Sequence, residues 1–357
     1  MSQRKILILG GTGAMGVHLV NLLRKENIHV YVTSRSARKS GDGVEYLCGN
    51  AKELPFLKSV LALNHWDAII DFMIYGTNDF QQRVQLLLSS TEHYLFLSSS
   101  RVYADSQTPI TESSPRLLDV SEDRQFLATD EYALSKAREE NILMNQDCGN
   151  WTIIRPYITF SENRLQLGVL EKDYWLYQAL HGRTIVFSKD IAEKTTTLTY
   201  GYDVARGIAA LIGQEKAAGR AFHITVSECH TWQEIFDLYC HILTKHLGYE
   251  PKTLMLEENP RVRIPHSKYQ VVYDRYFNRR FDNTAIGEFI DVSTFKPTMA
   301  GLEQCLQDFL QHPSYHIDSW TQHAQYDRIT GEWTRISEIP SWEHRMKYLL
   351  RRTIMPK

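Results

Sequence analysis

Two hydrophobic periods alternate along the first half of the chain. Nearly continuous apolar runs recur at Lys5–Gly10 (KILILG), His29–Arg35 (HVYVTSR), Val44–Gly49 (VEYLCG), Asp67–Ile74 (DAIIDFMI), Tyr94–Ser100 (YLFLSSS) and Trp151–Pro156 (WTIIRP). A strand with one wet face would alternate apolar and polar residues; these runs predict strands buried on both faces. Between them Val17–Glu26, Phe80–Ser90 and Glu131–Met144 carry helical spacing and predict amphipathic helices. Strand and helix in alternation predict an α/β fold, a Rossmann-type doubly wound parallel sheet with right-handed crossovers.

After Pro156 the pattern changes. Residues 160–194 mix aromatics and charges without a clean period, whereas Thr195–Gly213 and Ala221–Val226 return to strand, helix, strand. From Glu250 the chain is irregular and ends in a polar, aromatic tail. The expected division is a sheet domain from 1–160 with 195–245, and a smaller mixed lobe from 161–194 with 246–357. A length of 357 residues suits one large or two joined domains.

Bulk chemistry narrows the function classes. A net charge of -2 argues against a dedicated nucleic-acid binder, which carries a basic footprint. The five cysteines are scattered without a CxxC pair, which suits neither a disulfide framework nor a zinc site and fits a reducing cytoplasm. The histidines, His223, His230, His241 and His246 among them, show no HExxH spacing, so no metal is expected. No run of about 20 apolar residues occurs, so no membrane partner is expected.

The glycines Gly10, Gly13 and Gly16, with Ala14 and Met15 between the last two, follow the first strand and open the first helix. That is the place of a dinucleotide fingerprint. The first glycine permits a tight turn, the second admits a pyrophosphate, and the third lets helix and strand pack closely. An NAD-preferring site needs a carboxylate at the end of the second strand. Here stand Ser34, Arg35 and Arg38, which suit a 2′-phosphate and favour NADP over NAD. Asn50, after the third strand, is placed to meet the adenine amino edge.

Tyr132 and Lys136, four residues apart, fall on one helix face. An ammonium near a phenol stabilises the phenolate, and serines at the end of the fifth strand offer a hydroxyl for the same substrate oxygen. Such a set can move a proton at an alcohol or carbonyl oxygen while a hydride crosses to the cofactor.

With GGTGAMG, SSSRVY, YALSK and IIRP in place, the sequence resembles the extended short-chain dehydrogenase/reductase family of nucleotide-sugar epimerases, dehydratases and reductases. The resemblance covers roughly residues 5–250. It implies catalytic roles for Ser99, three residues before Val102, for Tyr132 as general acid/base, and for Lys136 on the nicotinamide ribose. It also puts Phe72 and Met73 on the adenosine side of the cofactor and Pro156 beside the nicotinamide. Family dehydratases carry an acid after the catalytic Ser or Thr; Ser100 and Arg101 follow here, which disfavours elimination of water.

The resemblance further implies an NAD(P)-binding first domain, a substrate-binding second lobe, an anionic small-molecule substrate such as a nucleotide sugar, and a homodimer. Arg164, Tyr174, Trp175, Arg206, Arg261, Arg263, Tyr269 and Arg275 are the candidates for gripping that substrate. The expected activity is an NAD(P)-dependent oxidoreductase or epimerase acting on a sugar. A reductase of a small non-sugar carbonyl and a non-catalytic, cofactor-binding or RNA-associated protein are the alternatives.

Overall fold

The computed structural model describes residues 3–26, 28–264 and 267–353. The chain divides into two compact units, Met1–Ser161 with Thr197–Cys229 and Asn278–Thr298, and Glu162–Thr196 with His230–Phe277 and Met299–Lys357.

Among the described residues, the first unit holds a seven-stranded sheet. Its strands are β1 (Lys5–Leu9), β2 (His29–Ser34), β3 (Val44–Cys48), β4 (Ala68–Asp71), β5 (Tyr94–Leu97), β6 (Trp151–Pro156) and a last one at Arg220–Ile224. The spatial order is β3-β2-β1-β4-β5-β6 and then Arg220–Ile224, with parallel neighbours throughout. The apolar runs have a simple cause. In β1, Ile6 and Ile8 join the core on one face while Leu7 and Leu9 join the core on the other. Both faces are covered, so Ile6 to Leu9 are apolar at every position, and only Lys5 at the exposed start is charged.

Helices fill the crossovers: α1 (Gly16–Lys25), α2 (Leu54–Leu61), α3 (Thr77–Gln81), α4 (Val84–Ser89), α5 (Leu117–Val120), α6 (Arg124–Leu127) and α7 (Tyr132–Met144). On α1 the buried residues Gly16, Leu19, Val20 and Leu23 form one stripe. The single helix expected over Phe80–Ser90 is instead two, α3 and α4. The break falls at Arg83, whose φ of -121° is not helical and whose buried guanidinium donates to the Lys52 carbonyl at 3.2 Å. Strand order reverses between β1 and β4. In open parallel sheets the carboxyl ends of the strands at such a point are where ligands sit.

The second unit carries helices at Lys172–Leu180, Trp232–Leu247, Trp320–Thr330 and Trp342–Thr353, and a parallel strand pair Ile185–Ser188 with Thr253–Leu256. Its boundaries depart from the expected ones at two places. The helix Trp232–Leu247 belongs here because Tyr239 stacks on Trp175 at 4.6 Å and donates to the Gln166 carbonyl. Residues 278–298 belong to the first unit, where Ile286 and Phe295 enter the sheet's core. The polar tail is also more regular than its composition suggests. Its last two helices are tied through buried Asp327, which accepts from Thr334 at 2.7 Å and from the Tyr348 hydroxyl at 2.6 Å.

Candidate active site

The loop after β1 is shaped by its glycines. Gly10 has φ +74°, a left-handed conformation that favours glycine, and a Cβ there would lie 2.9 Å from the Met73 sulfur at the end of β4. A Cβ on Gly16 would lie 2.6 Å from the Gly11 carbonyl, so helix and loop pack at backbone distance. Gly13 differs: a Cβ there would meet nothing within 4 Å. One glycine faces open space while its neighbours close the turn. The first turn of α1 has no side-chain cap, the Val17 amide bonds the Gly13 carbonyl at 3.2 Å, and the positive end of the helix dipole faces the loop. This cradle fits a pyrophosphate. Ala14 is held at the loop by close approach to Gly201, and Met15 packs on the core with its sulfur 3.8 Å from the Thr159 hydroxyl.

Ser99 follows β5 and caps a single turn, Ser100–Val102, by accepting the Arg101 amide at 3.2 Å. Tyr132 is the first residue of α7, half-buried, after Glu131, which caps the helix at the Ala133 amide. Arg101 joins the two segments. Its guanidinium lies 5.2 Å from the Tyr132 ring centroid and pairs with Glu131 at 2.6 Å. Lys136 is fully buried one turn further on, where its ammonium donates to Glu139 at 2.9 Å and lies 4.6 Å from the Phe96 ring.

A buried polar network fixes these segments to one another. Glu140, wholly enclosed on α7, takes a two-point pair from Arg155 of β6, with both distances 2.8 Å. It also accepts from the Ser98 hydroxyl at 2.6 Å and from Arg116 at 3.1 Å. Ser100 donates to the Arg155 carbonyl at 2.6 Å. Ser99 therefore sits between two serines bonded to the groups that hold α7. Arg155 also donates to the Tyr103 hydroxyl at 2.9 Å. Burial pulls the Arg155 pKa down, and the Glu140 carboxylate more than offsets this, so the guanidinium stays charged. Glu140, Ser98 and Arg116 were not singled out from the sequence. The available signal was a glutamate four residues after Lys136, on the helix face turned toward the sheet.

At the end of β2, Ser34 is buried and its hydroxyl donates to the Ser36 carbonyl, so it shapes the turn. Arg35 and Arg38 are exposed, and Arg38 lies 5.9 Å from the Tyr46 ring. The Asn50 side chain accepts the Lys52 amide and donates to Glu53. Phe72 and Met73 follow β4, and Pro156 closes β6 opposite Ile224.

The expected substrate-gripping residues are engaged in internal contacts. Within the second unit Arg164 pairs with Glu171, Arg263 with Glu258, and Arg275 donates to the Gly168 carbonyl. Trp175 and Tyr269 are buried, Tyr174 lies 5.1 Å from the His323 ring, and Arg261 bonds Tyr326. Arg206, in the first unit, pairs with Asp203.

Comparison with solved structures agrees with this layout. An epimerase from Methanothermobacter thermautotrophicus superposes with a TM-score of 0.66 at 17% identity, covering 87% of this chain and 93% of that one. A UDP-glucuronic acid 4-epimerase from Bacillus cereus, in complex with UDP-glucuronic acid and NAD, gives 0.63 at 17% identity over 87% and 100%. The chain shares the fold of these two proteins, built on a Rossmann-type parallel sheet. No family model matches the sequence.

Two curated proteins are similar in sequence. The chloroplast stem-loop binding protein of 41 kDa b from Arabidopsis thaliana is 25% identical over 276 residues, 73% of this chain and 67% of that protein. The 2'-dehydrokanamycin reductase of Streptomyces kanamyceticus is 24% identical over 247 residues, 67% of this chain and 66% of that protein. The chain thus matches about two thirds of the length of each. Among the described residues no helix is long and apolar enough to cross a membrane.

Proposed function

We propose that this chain is an NAD(P)-dependent oxidoreductase or epimerase acting on a sugar hydroxyl or keto group, with a nucleotide sugar as substrate and NADP preferred. The observation that carries this is the anchoring of Ser99 and α7 to the same buried pair, Glu140 and Arg155, at the carboxyl edge of the sheet. Rigid placement of a hydroxyl, a phenol and an ammonium is what proton transfer at one oxygen requires.

The nicotinamide dinucleotide supplies or accepts the hydride. Gly10, Gly13, Ala14, Met15 and Gly16 with the α1 amides take the pyrophosphate, Arg35 and Arg38 the 2′-phosphate, and Asn50, Phe72 and Met73 the adenosine. Tyr132 gives a proton to the substrate oxygen on reduction, or takes one on oxidation. The Ser99 hydroxyl bonds the same oxygen, and Lys136 meets the nicotinamide ribose beside Pro156. No acid follows Ser99, which supports redox chemistry without loss of water.

Similarity to a reductase and to a UDP-glucuronic acid 4-epimerase supports a carbonyl or hydroxyl on a sugar. Five free thiols suit the cytoplasm, and the family resemblance supports a homodimer. A second reading, binding of a structured RNA, is favoured by the similarity to the stem-loop binding protein.

Native mass spectrometry of the purified protein, followed by turnover assays on UDP- and dTDP-sugars, separates the two readings. A bound nicotinamide dinucleotide is expected, with Tyr132→Phe lowering turnover by roughly 10²- to 10⁴-fold. Unchanged turnover in that variant overturns the role of Tyr132. Absence of any bound cofactor, together with tight binding of an RNA hairpin, replaces the catalytic reading with the second one.

A further inference from the structure

Two buried carboxylates flank Lys136, and proton transfer through Tyr132 uses neither. Asp71, the last residue of β4, is 0% exposed and accepts from the Met73 amide at 2.9 Å, the Tyr94 hydroxyl at 2.9 Å and the Tyr75 hydroxyl at 3.1 Å. Glu139 on α7 is likewise 0% exposed; it accepts from the Ser135 hydroxyl and the Lys136 ammonium, both at 2.9 Å. Burial pushes both carboxyls above the usual range, the Lys136 charge opposes this in each, and Asp71 adds to the rise at Glu139.

The other cation nearby is Arg83, 4.4 Å from the Tyr75 ring centroid. It bonds the Lys52 carbonyl and leaves Nε and Nη1 without a partner, so it forms no hydrogen bond to either carboxylate. Lys136 therefore supplies the ammonium that bonds Glu139 directly and acts on Asp71 through its charge. Enclosed charges act on one another, and on a ligand nearby, with little screening by water.

We propose that Glu139 is a positioning residue that holds Lys136, and that Glu139 and Asp71 together bias a nicotinamide bound there toward the oxidised, cationic form. This rests on the reading that Lys136 serves the nicotinamide ribose. The physical reason is the sign of the charge. The oxidised ring carries a positive charge that the reduced ring lacks, so negative charge beneath the site favours the first over the second. The bound reduced form becomes the stronger hydride donor, which suits reduction of a keto group.

The test needs no substrate. Dissociation constants of NAD+, NADH, NADP+ and NADPH are measured by calorimetry on the full chain, from about pH 6 to about pH 9. The readout is the affinity for the oxidised form relative to the reduced form of each pair. In the wild type the oxidised form of each pair is expected to bind more tightly than the reduced form. In Glu139→Gln and Asp71→Asn this preference is expected to fall by roughly three- to tenfold.

A merely structural role would weaken both forms alike, and an unchanged preference in folded variants overturns the proposal. Where a variant does not fold, the wild type decides, because binding of the reduced form as tightly as the oxidised form also overturns the proposal. Failure of the wild type to bind any of the four cofactors overturns instead the cofactor site on which the proposal rests.

Discussion

Glu140 and Arg155 meet as a two-point ion pair, with Nε–Oε1 and Nη2–Oε2 both at 2.8 Å. The pair joins the centre of α7 to β6, and through Ser98 and Ser100 it also holds the turn that carries Ser99. Removing one partner of an enclosed pair leaves the other charge uncompensated, which costs far more than the net contribution of the pair itself. Glu140→Gln keeps the shape of the side chain but strands the Arg155 charge, whereas Arg116 keeps its pair with Asp119. A loss of about 3–5 kcal/mol is expected in urea unfolding. A loss below about 1 kcal/mol would show that α7 is held by packing alone.

The glycine loop gives two contrasting substitutions. Gly13→Val enters open space, so thermal stability should be kept while NADPH binding falls by roughly tenfold or more in a fluorescence titration. Gly16→Ala drives a methyl against the Gly11 backbone and should destabilise the fold by about 1–3 kcal/mol. Retained cofactor affinity in Gly13→Val would place the phosphates elsewhere.

Exposed Arg35 stands at the end of β2, where an acid would select NAD. Arg35→Ala should weaken NADPH by roughly tenfold, the size of one charge-assisted hydrogen bond, and leave NADH within about twofold. Equal effects on both cofactors, measured side by side, would refute the 2′-phosphate role.

His93 predicts an acid limit to stability. Burial lowers its pKa from 6.5 to about 4. Its neutral form is fixed by the Gly213 amide donating to Nδ1 at 3.0 Å, which leaves Nε2 to donate to the Thr152 hydroxyl at 2.8 Å. Between pH 6.5 and about 4 the unfolded chain takes up a proton that the native chain refuses, so stability falls with pH across that window. The loss approaches about 3 kcal/mol at 1.36 kcal/mol per unit. His223, also lowered to about 4 by burial, acts with the same sign. Urea midpoints across the window should fall less steeply in His93→Gln; an identical slope would mean the ring is protonated in the native state.

Much of the first unit is legible from local pattern. β1 to β6 lie within a few residues of the apolar runs, and α1 and α7 lie where the helical period placed them, because burial on both faces leaves a strong local signal. Phe80–Ser90 was not legible as two helices, since a buried arginine reaching Lys52 leaves no mark on periodicity. The regularity of residues 299–353 was hidden for a similar reason. Those helices bury Asp327, His323 and Thr334, so polar content there reads as surface.

The sequence by itself determined the α/β alternation, the glycine turn and the spacing of Tyr132 and Lys136, all of which depend on residues close in the chain. Only the tertiary structure decided what surrounds them. It brought Asp71 near Lys136, Arg101 over Tyr132, and Glu140 against Arg155, joining segments distant in sequence. Charges inside a fold act through distance and dielectric, and neither quantity is written in the order of the residues.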